Sequence, residues 1–332
     1  MDRGTSVKRF AAALISVLVL AGCGTDEAKP AGWSDSDVSF EADGLTIHGT
    51  YRNDGKPGPA ALLISESGNT DRNGDNAVAG PVGNMRQLAE ALSDKGVSSL
   101  RYDKIGTGKT GLGPYEKKPT EVVSAVYTTG ADAALRFLAE QPNTDKDKVS
   151  VYALGEGAIH AMVLAGSGDP KVQALGLLQP LPGRYLDIIT NRVRANGNPE
   201  VLATWLAAVD QVRTQGTAPA KLPEGLSALV NPGNLKAVIA ADQIDPLKLA
   251  ADLPDGMPVL LTCSDSDGQA SCDTERPLID ALKHTALRVV ELKGVNHVLR
   301  DDPTDNVANY ANGGPLSPQV LDALNAFVGG PS

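Results

Sequence analysis

Aromatic residues are scarce in this sequence: Phe, Trp and Tyr together make up 4% of 332 residues. Any core must therefore be aliphatic and alanine-rich, and the 42% apolar content is enough to fill one. Basic charge is also short, with 30 Lys and Arg against 40 Asp and Glu, a net charge of -10. That balance argues against a nucleic-acid partner, which needs a basic face. It equally argues against electrostatic docking on anionic lipid. There are four histidines, and they are scattered without ligand spacing, so no metal and no other cofactor is expected. Asp71-Arg72-Asn73-Gly74-Asp75 has the start of a calcium loop but lacks its closing glutamate. Gly106-Thr107-Gly108-Lys109-Thr110 lacks the leading glycine of a phosphate loop. Internal repeats and low-complexity tracts are absent.

One long apolar run exists, from Phe10 to Leu20, behind a basic head of Arg3, Lys8 and Arg9. It is too short for a stable membrane-spanning helix and reads as a secretory signal segment. It ends in Leu20-Ala21-Gly22-Cys23, which resembles a bacterial lipobox. The resemblance implies cleavage before Cys23 and attachment of diacylglycerol to its sulfur. The expected order is a signal peptide over 1–22 and a lipidated tether over 23–35. A soluble domain would then sit on the outer face of the bacterial envelope, touching membrane only through the anchor. Of three cysteines, Cys263 and Cys272 remain. Export permits a disulfide between them, and two free buried thiols are the alternative.

From Val38 onward, short apolar runs alternate with helical patterns. Strands are expected at Val38–Glu41, Leu45–Tyr51, Ala60–Ser65, Val97–Arg101, Val149–Tyr152, Ala174–Gln179, Pro258–Thr262 and Arg288–Leu292. Asp43-Gly44 marks a hairpin between the first two. Asn84–Lys95 and Thr129–Gln141 carry apolar residues at helical spacing. This alternation predicts a doubly wound α/β sheet of eight mostly parallel strands with an antiparallel N-terminal edge. The stretch 183–245 breaks the pattern. Leu186–Val193 and Pro199–Thr214 read as helices, and Val230–Asn234 as a loop. A helical lid is expected there, between core segments 36–182 and 246–332.

Four strings, in chain order, resemble the α/β-hydrolase superfamily, its esterase and acyl-hydrolase branch most of all. They are Leu63–Gly74 (LISESGNTDRNG), Leu100–Lys109 (LRYDKIGTGK), Ala153–Gly157 (ALGEG) and Gly294–His297 (GVNH). The resemblance spans roughly Val38 to Val328. It implies a nucleophile elbow at Ala153–Gly157, where small neighbours are needed because backbones approach closely. It also implies that His297 is the triad histidine. Asp267 is then the acid that orients it, with Asp265 the neighbouring candidate.

The chain departs from that pattern at two positions. Gly155 stands where the superfamily has serine, and glycine offers no attacking atom. Glu66 stands where the superfamily usually has glycine, beside the oxyanion hole whose donors would be the N–H groups of Ser67 and Glu156. A carboxylate there opposes developing negative charge, unless it points to solvent or pairs with Arg72 or Arg101. Ser65, Ser67 and Ser150 are the serines nearest the site, and none holds the position that faces the histidine. These departures lead to the expectation of a catalytically impaired protein. It would bind a small acyl, ester or lipid-like ligand, or act as an envelope interaction module. The alternative is a working esterase with a displaced nucleophile or a bound water.

Overall fold

The computed structural model describes residues 32–329. The expected leader, Cys23 and the tether up to residue 31 lie outside the described residues. Eight strands form one sheet: β1 (Ser34–Ala42), β2 (Leu45–Asn53), β3 (Gly58–Ile64), β4 (Ser98–Tyr102), β5 (Thr144–Leu154), β6 (Ala174–Leu178), β7 (Pro258–Ser264) and β8 (Ala286–Leu292). Their spatial order is β1-β2-β4-β3-β5-β6-β7-β8. β1 pairs antiparallel with β2, and β2 antiparallel with β4. Every other pairing is parallel. β1 begins at Ser34, inside the segment expected as tether, because its polar start pairs through backbone with Asn53. An edge strand needs no apolar side chains for that pairing.

The central strands are apolar throughout because both of their faces are covered. Leu62, Leu177 and Leu261 face one layer of helices, α2 (Ser124–Ala139) and α3 (Gly157–Ser167), packing with Ala134, Leu138, Ala158 and Met162. Leu63, Leu178 and Leu260 point the opposite way, onto Met85 and Leu88 of α1 (Asn84–Ser93) and Val320 and Leu324 near the C-terminus. The alternation of adjacent leucines between two cores follows from the two-residue period of a strand.

The block 183–245 holds four helices, α4 (Tyr185–Ala195), α5 (Pro199–Gln215), α6 (Leu226–Leu229) and α7 (Leu235–Asp242). They close over a separate cluster around fully buried Trp205, with Leu186, Ile189, Val209 and Val238. Asp242 ties the block together. Its carboxylate accepts from the backbone N–H of Leu186 at 3.0 Å and from the guanidinium groups of Arg184 at 3.0 Å and Arg213 at 2.8 Å. After α8 (Pro246–Ala251) come β7, α9 (Arg276–Ala281), β8 and α10 (Pro318–Val328). Cys263 and Cys272 form a disulfide with Cα atoms 4.9 Å apart.

Candidate active site

The elbow forms where β5 ends at Leu154 and α3 begins at Gly157. Gly155 turns the chain with φ at +53°, a left-handed conformation that glycine adopts without a Cβ penalty. Gly157 lets the helix start against β3, since a Cβ there would lie 2.9 Å from the carbonyl oxygens of Ile64 and Ser65. The backbone demands of such an elbow are thus met, and position 155 carries no side chain.

His297 and Asp267 come together as the spacing predicts. His297 Nδ1 lies 2.8 Å from Asp267 Oδ2, and both residues are buried. The other oxygen of Asp267 accepts from the backbone N–H groups of Gln269 at 2.6 Å and Ala270 at 3.0 Å. Asp265 is excluded from this role by its surroundings. It is exposed and accepts instead from Gly294 N–H at 2.8 Å. Ser264, in the place of the superfamily's glycine, donates to the Val295 carbonyl at 2.5 Å and so pins the acid's loop to the histidine's loop. Asp305, which the sequence analysis did not single out, accepts from His297 N–H at 2.9 Å and from the Tyr310 hydroxyl at 2.5 Å.

Glu66 is where the structure differs most from expectation. It neither points to solvent nor pairs with an arginine. Arg72 is engaged by Asp103 at 2.7 Å and Asp37 at 3.1 Å, and Arg101 by Asp35 at 2.7 Å. Instead the Glu66 carboxylate turns inward. Its Oε2 lies 2.8 Å from His297 Nε2, and its Oε1 accepts from the Ser67 N–H at 2.6 Å and, more weakly, from the Glu156 N–H at 3.5 Å. Those two N–H groups are the expected oxyanion donors, and the oxygen they meet belongs to the protein itself. Ser65 donates to the Thr70 carbonyl and Ser150 to that of Ala60. Both ring nitrogens of His297 are therefore held by carboxylates, not by a serine.

Charge accounts for the stability of this arrangement. Burial works against a proton on His297, but Asp267 and Glu66 outweigh it and push its pKa well above 6.5. Burial likewise opposes ionisation of Glu66, and the imidazolium and the Ser67 N–H overcome it, bringing its carboxyl down to about 2. The result is a carboxylate–imidazolium–carboxylate row with the imidazolium donating at both ends.

Residues outside the expected site adjoin this row. Lys104 donates to the Glu66 backbone carbonyl. Burial, opposed by Glu66 and Glu156, lowers its pKa to about 8. Glu275 lies fully buried, and neither carboxylate oxygen has a partner among the described residues. Burial and the charge of Asp267 push its pKa up to about 9. Lys104 stood in a recognisable string, but Glu275 carried no sequence signal. His160 is neutral at physiological pH, its pKa lowered to about 4 by burial and by Lys104, and its Nδ1 meets the Thr128 hydroxyl at 2.9 Å.

A cavity of about 480 Å³ opens beside Ser67 and Glu156, the residues whose N–H groups meet Glu66. Ser67 and Glu156 line it from the ends of the strands, and Ile188, Ile189, Val193 and Leu229 line it from the helical block. A second cavity of about 240 Å³ borders Lys104, Tyr127 and α7, and shares Glu156 and Tyr185 with the first.

No family model and no curated protein matches this chain. Solved structures do. The DcsB complex with its substrate analogue aligns at a TM-score of 0.61 and 16% identity, over 89% of this chain and 99% of that one. The Pyrococcus furiosus esterase PF2001 aligns at 0.56 and 16%, covering 90% of each chain. Est1E from Butyrivibrio proteoclasticus, solved with ferulic acid, aligns at 0.55 and 16%, over 87% of this chain and 99% of that one. At these identities the likeness establishes the fold. Sheet order, elbow and flanking helices define this chain as an α/β-hydrolase-fold protein.

Proposed function

We propose that this is an exported, lipid-anchored α/β-hydrolase-like protein that has lost acyl transfer and keeps the cavity under its helical block for a small acyl, ester or lipid-like ligand. One observation carries the reading: the Glu66 carboxylate fills the nucleophile's place, the oxyanion hole and the hydrogen-bonding face of the histidine together. Acyl transfer needs all three free for substrate. Export and anchoring rest on the Phe10–Cys23 string.

The intact Asp267–His297 pair favours a second reading, a hydrolase working through a displaced nucleophile. A water held between His297 and Glu66 has no room, since their facing atoms are already in hydrogen-bond contact at 2.8 Å. A fluorophosphonate probe separates the readings. The silenced site leaves the purified domain unlabelled and hydrolyses p-nitrophenyl esters at the background rate. Serine labelling that disappears in His297→Ala establishes the working hydrolase instead.

A further inference from the structure

Glu156 is assigned above only through its backbone N–H. Its side chain has a separate role available. The carboxylate has no hydrogen-bond or ion-pair partner among the described residues, and it lines both cavities beneath the helical block. The phenols of Tyr127 and Tyr185 flank it closely enough for its charge to raise their pKa values, after burial. We propose that Glu156 is the recognition group of the larger cavity and that the ligand is an aliphatic amphiphile with a protonated primary amine head. The inference rests on the ligand-binding reading above and specifies the chemistry of that same site.

Three observations support this assignment. First, the donors that hold an acyl group in a working hydrolase are already used: the Ser67 and Glu156 N–H groups meet Glu66 Oε1. A ligand carboxylate or ester carbonyl finds neither of those N–H groups free, while a donor-rich head finds an open acceptor in Glu156. Second, Glu156 is the one carboxyl at the strand-end floor of the larger cavity. Burial and the neighbouring Glu66 charge push its pKa up, against the pull of Lys104, so a cation that enters the cavity favours its ionised form. Third, the opposing charge is turned elsewhere. Lys104 directs its amine to the Glu66 carbonyl and borders the smaller cavity, not the larger. Arg192 and Glu224 lie exposed at the rim of the larger cavity, with Arg192 donating to Gln269 at 2.9 Å. The walls, Ile188, Ile189, Val193, Val201, Leu226 and Leu229, take an alkyl tail.

The test titrates the full mature domain with n-octylammonium, 1-octanol and octanoate by calorimetry at pH 7. The expected order is ammonium first, with octanoate weaker by about ten-fold or more, the size of one favourable charge contact. In Glu156→Gln that ratio collapses. In Ile189→Trp, which narrows the cavity without touching the Glu156 carboxylate, ammonium binding weakens. If octanol and octanoate bind and ammonium has no advantage, the amine assignment is wrong and the cavity reading stands. If none of the three binds, both are wrong. If ammonium keeps its affinity in Ile189→Trp, or its advantage in a folded Glu156→Gln, it binds elsewhere and the inference fails.

Discussion

A Cβ on Gly155 would lie 1.4 Å from Oε2 of Glu66, with the carboxyl carbon only 2.4 Å away. The two departures from the hydrolase pattern are therefore one structural fact. Glycine at 155 makes room for the carboxylate, and the carboxylate fills what the missing side chain leaves.

That dependence predicts a non-additive pair of substitutions. Gly155→Ser alone cannot coexist with the inward Glu66 rotamer, and it also places a Cβ at positive φ. It should lower stability by about 1–3 kcal/mol and leave p-nitrophenyl ester hydrolysis at background. Glu66→Gly combined with Gly155→Ser frees the Ser67 and Glu156 N–H groups and gives His297 a hydroxyl. The double variant should hydrolyse p-nitrophenyl acetate at least about a hundred-fold faster than either single variant, the scale set by a nucleophile with an open oxyanion hole. Equal rates in all three proteins would mean that Glu66 is not what blocks the site.

The ionised row also fixes a pH window. Glu66 has a folded pKa of about 2 against an ordinary 4.5, so its stabilisation is present above 4.5 and is lost as pH falls towards 2. His297 has a folded pKa raised well above 6.5, so its stabilisation is present below 6.5 and is lost as pH climbs through the folded value. Both contributions are complete between pH 4.5 and 6.5. Glu66→Gln should be less stable than the parent by about 3 kcal/mol in that window, the scale of breaking a buried ion pair. The gap should narrow on either side. Chemical denaturation of both proteins from pH 2.5 to 9 measures it, and a pH-independent gap would show that the carboxylate is not paired as described.

The fold was legible because the central strands carry short apolar runs and the elbow's small residues mark a close backbone approach, whereas β1 and β5 begin earlier than expected, at polar Ser34 and Thr144, where backbone pairing needs no apolar side chain. The strings around Arg72 and Asp103 were legible as superfamily signatures, and the structure gives their physical task. Asp103 accepts from the Arg72 backbone at 2.9 Å, its guanidinium at 2.7 Å and the Lys109 backbone at 2.7 Å. This buried knot fixes the loop that carries Glu66. His297 and Asp267 were legible because strand ends set their positions. The direction of the Glu66 side chain was not, because it depends on torsions within a loop and on a vacancy contributed by a residue 89 positions away. Glu275 was illegible for a similar reason. Nothing in its neighbourhood along the chain reveals a site buried without partners.

Glu275 offers a final prediction with the opposite sign to Glu66. A carboxyl pushed up to about 9 by burial and by Asp267 stays protonated in the folded chain while it ionises in the unfolded one above 4.5. The folded state then binds more protons, so stability declines as pH rises from 4.5 to about 9 on account of this residue. Methionine has a similar length and no charge to desolvate. Glu275→Met should match the parent near pH 4.5 and become progressively more stable above it, by about 2–3 kcal/mol at pH 7. If the acid's neutrality also tunes the row beyond it, the His297 ring protons observed by NMR should shift in the same variant. Urea unfolding at pH 4.5, 6 and 8 supplies the stability comparison. A parent that is equally stable relative to Glu275→Met at all three values would show that Glu275 ionises in the folded protein and has a partner after all.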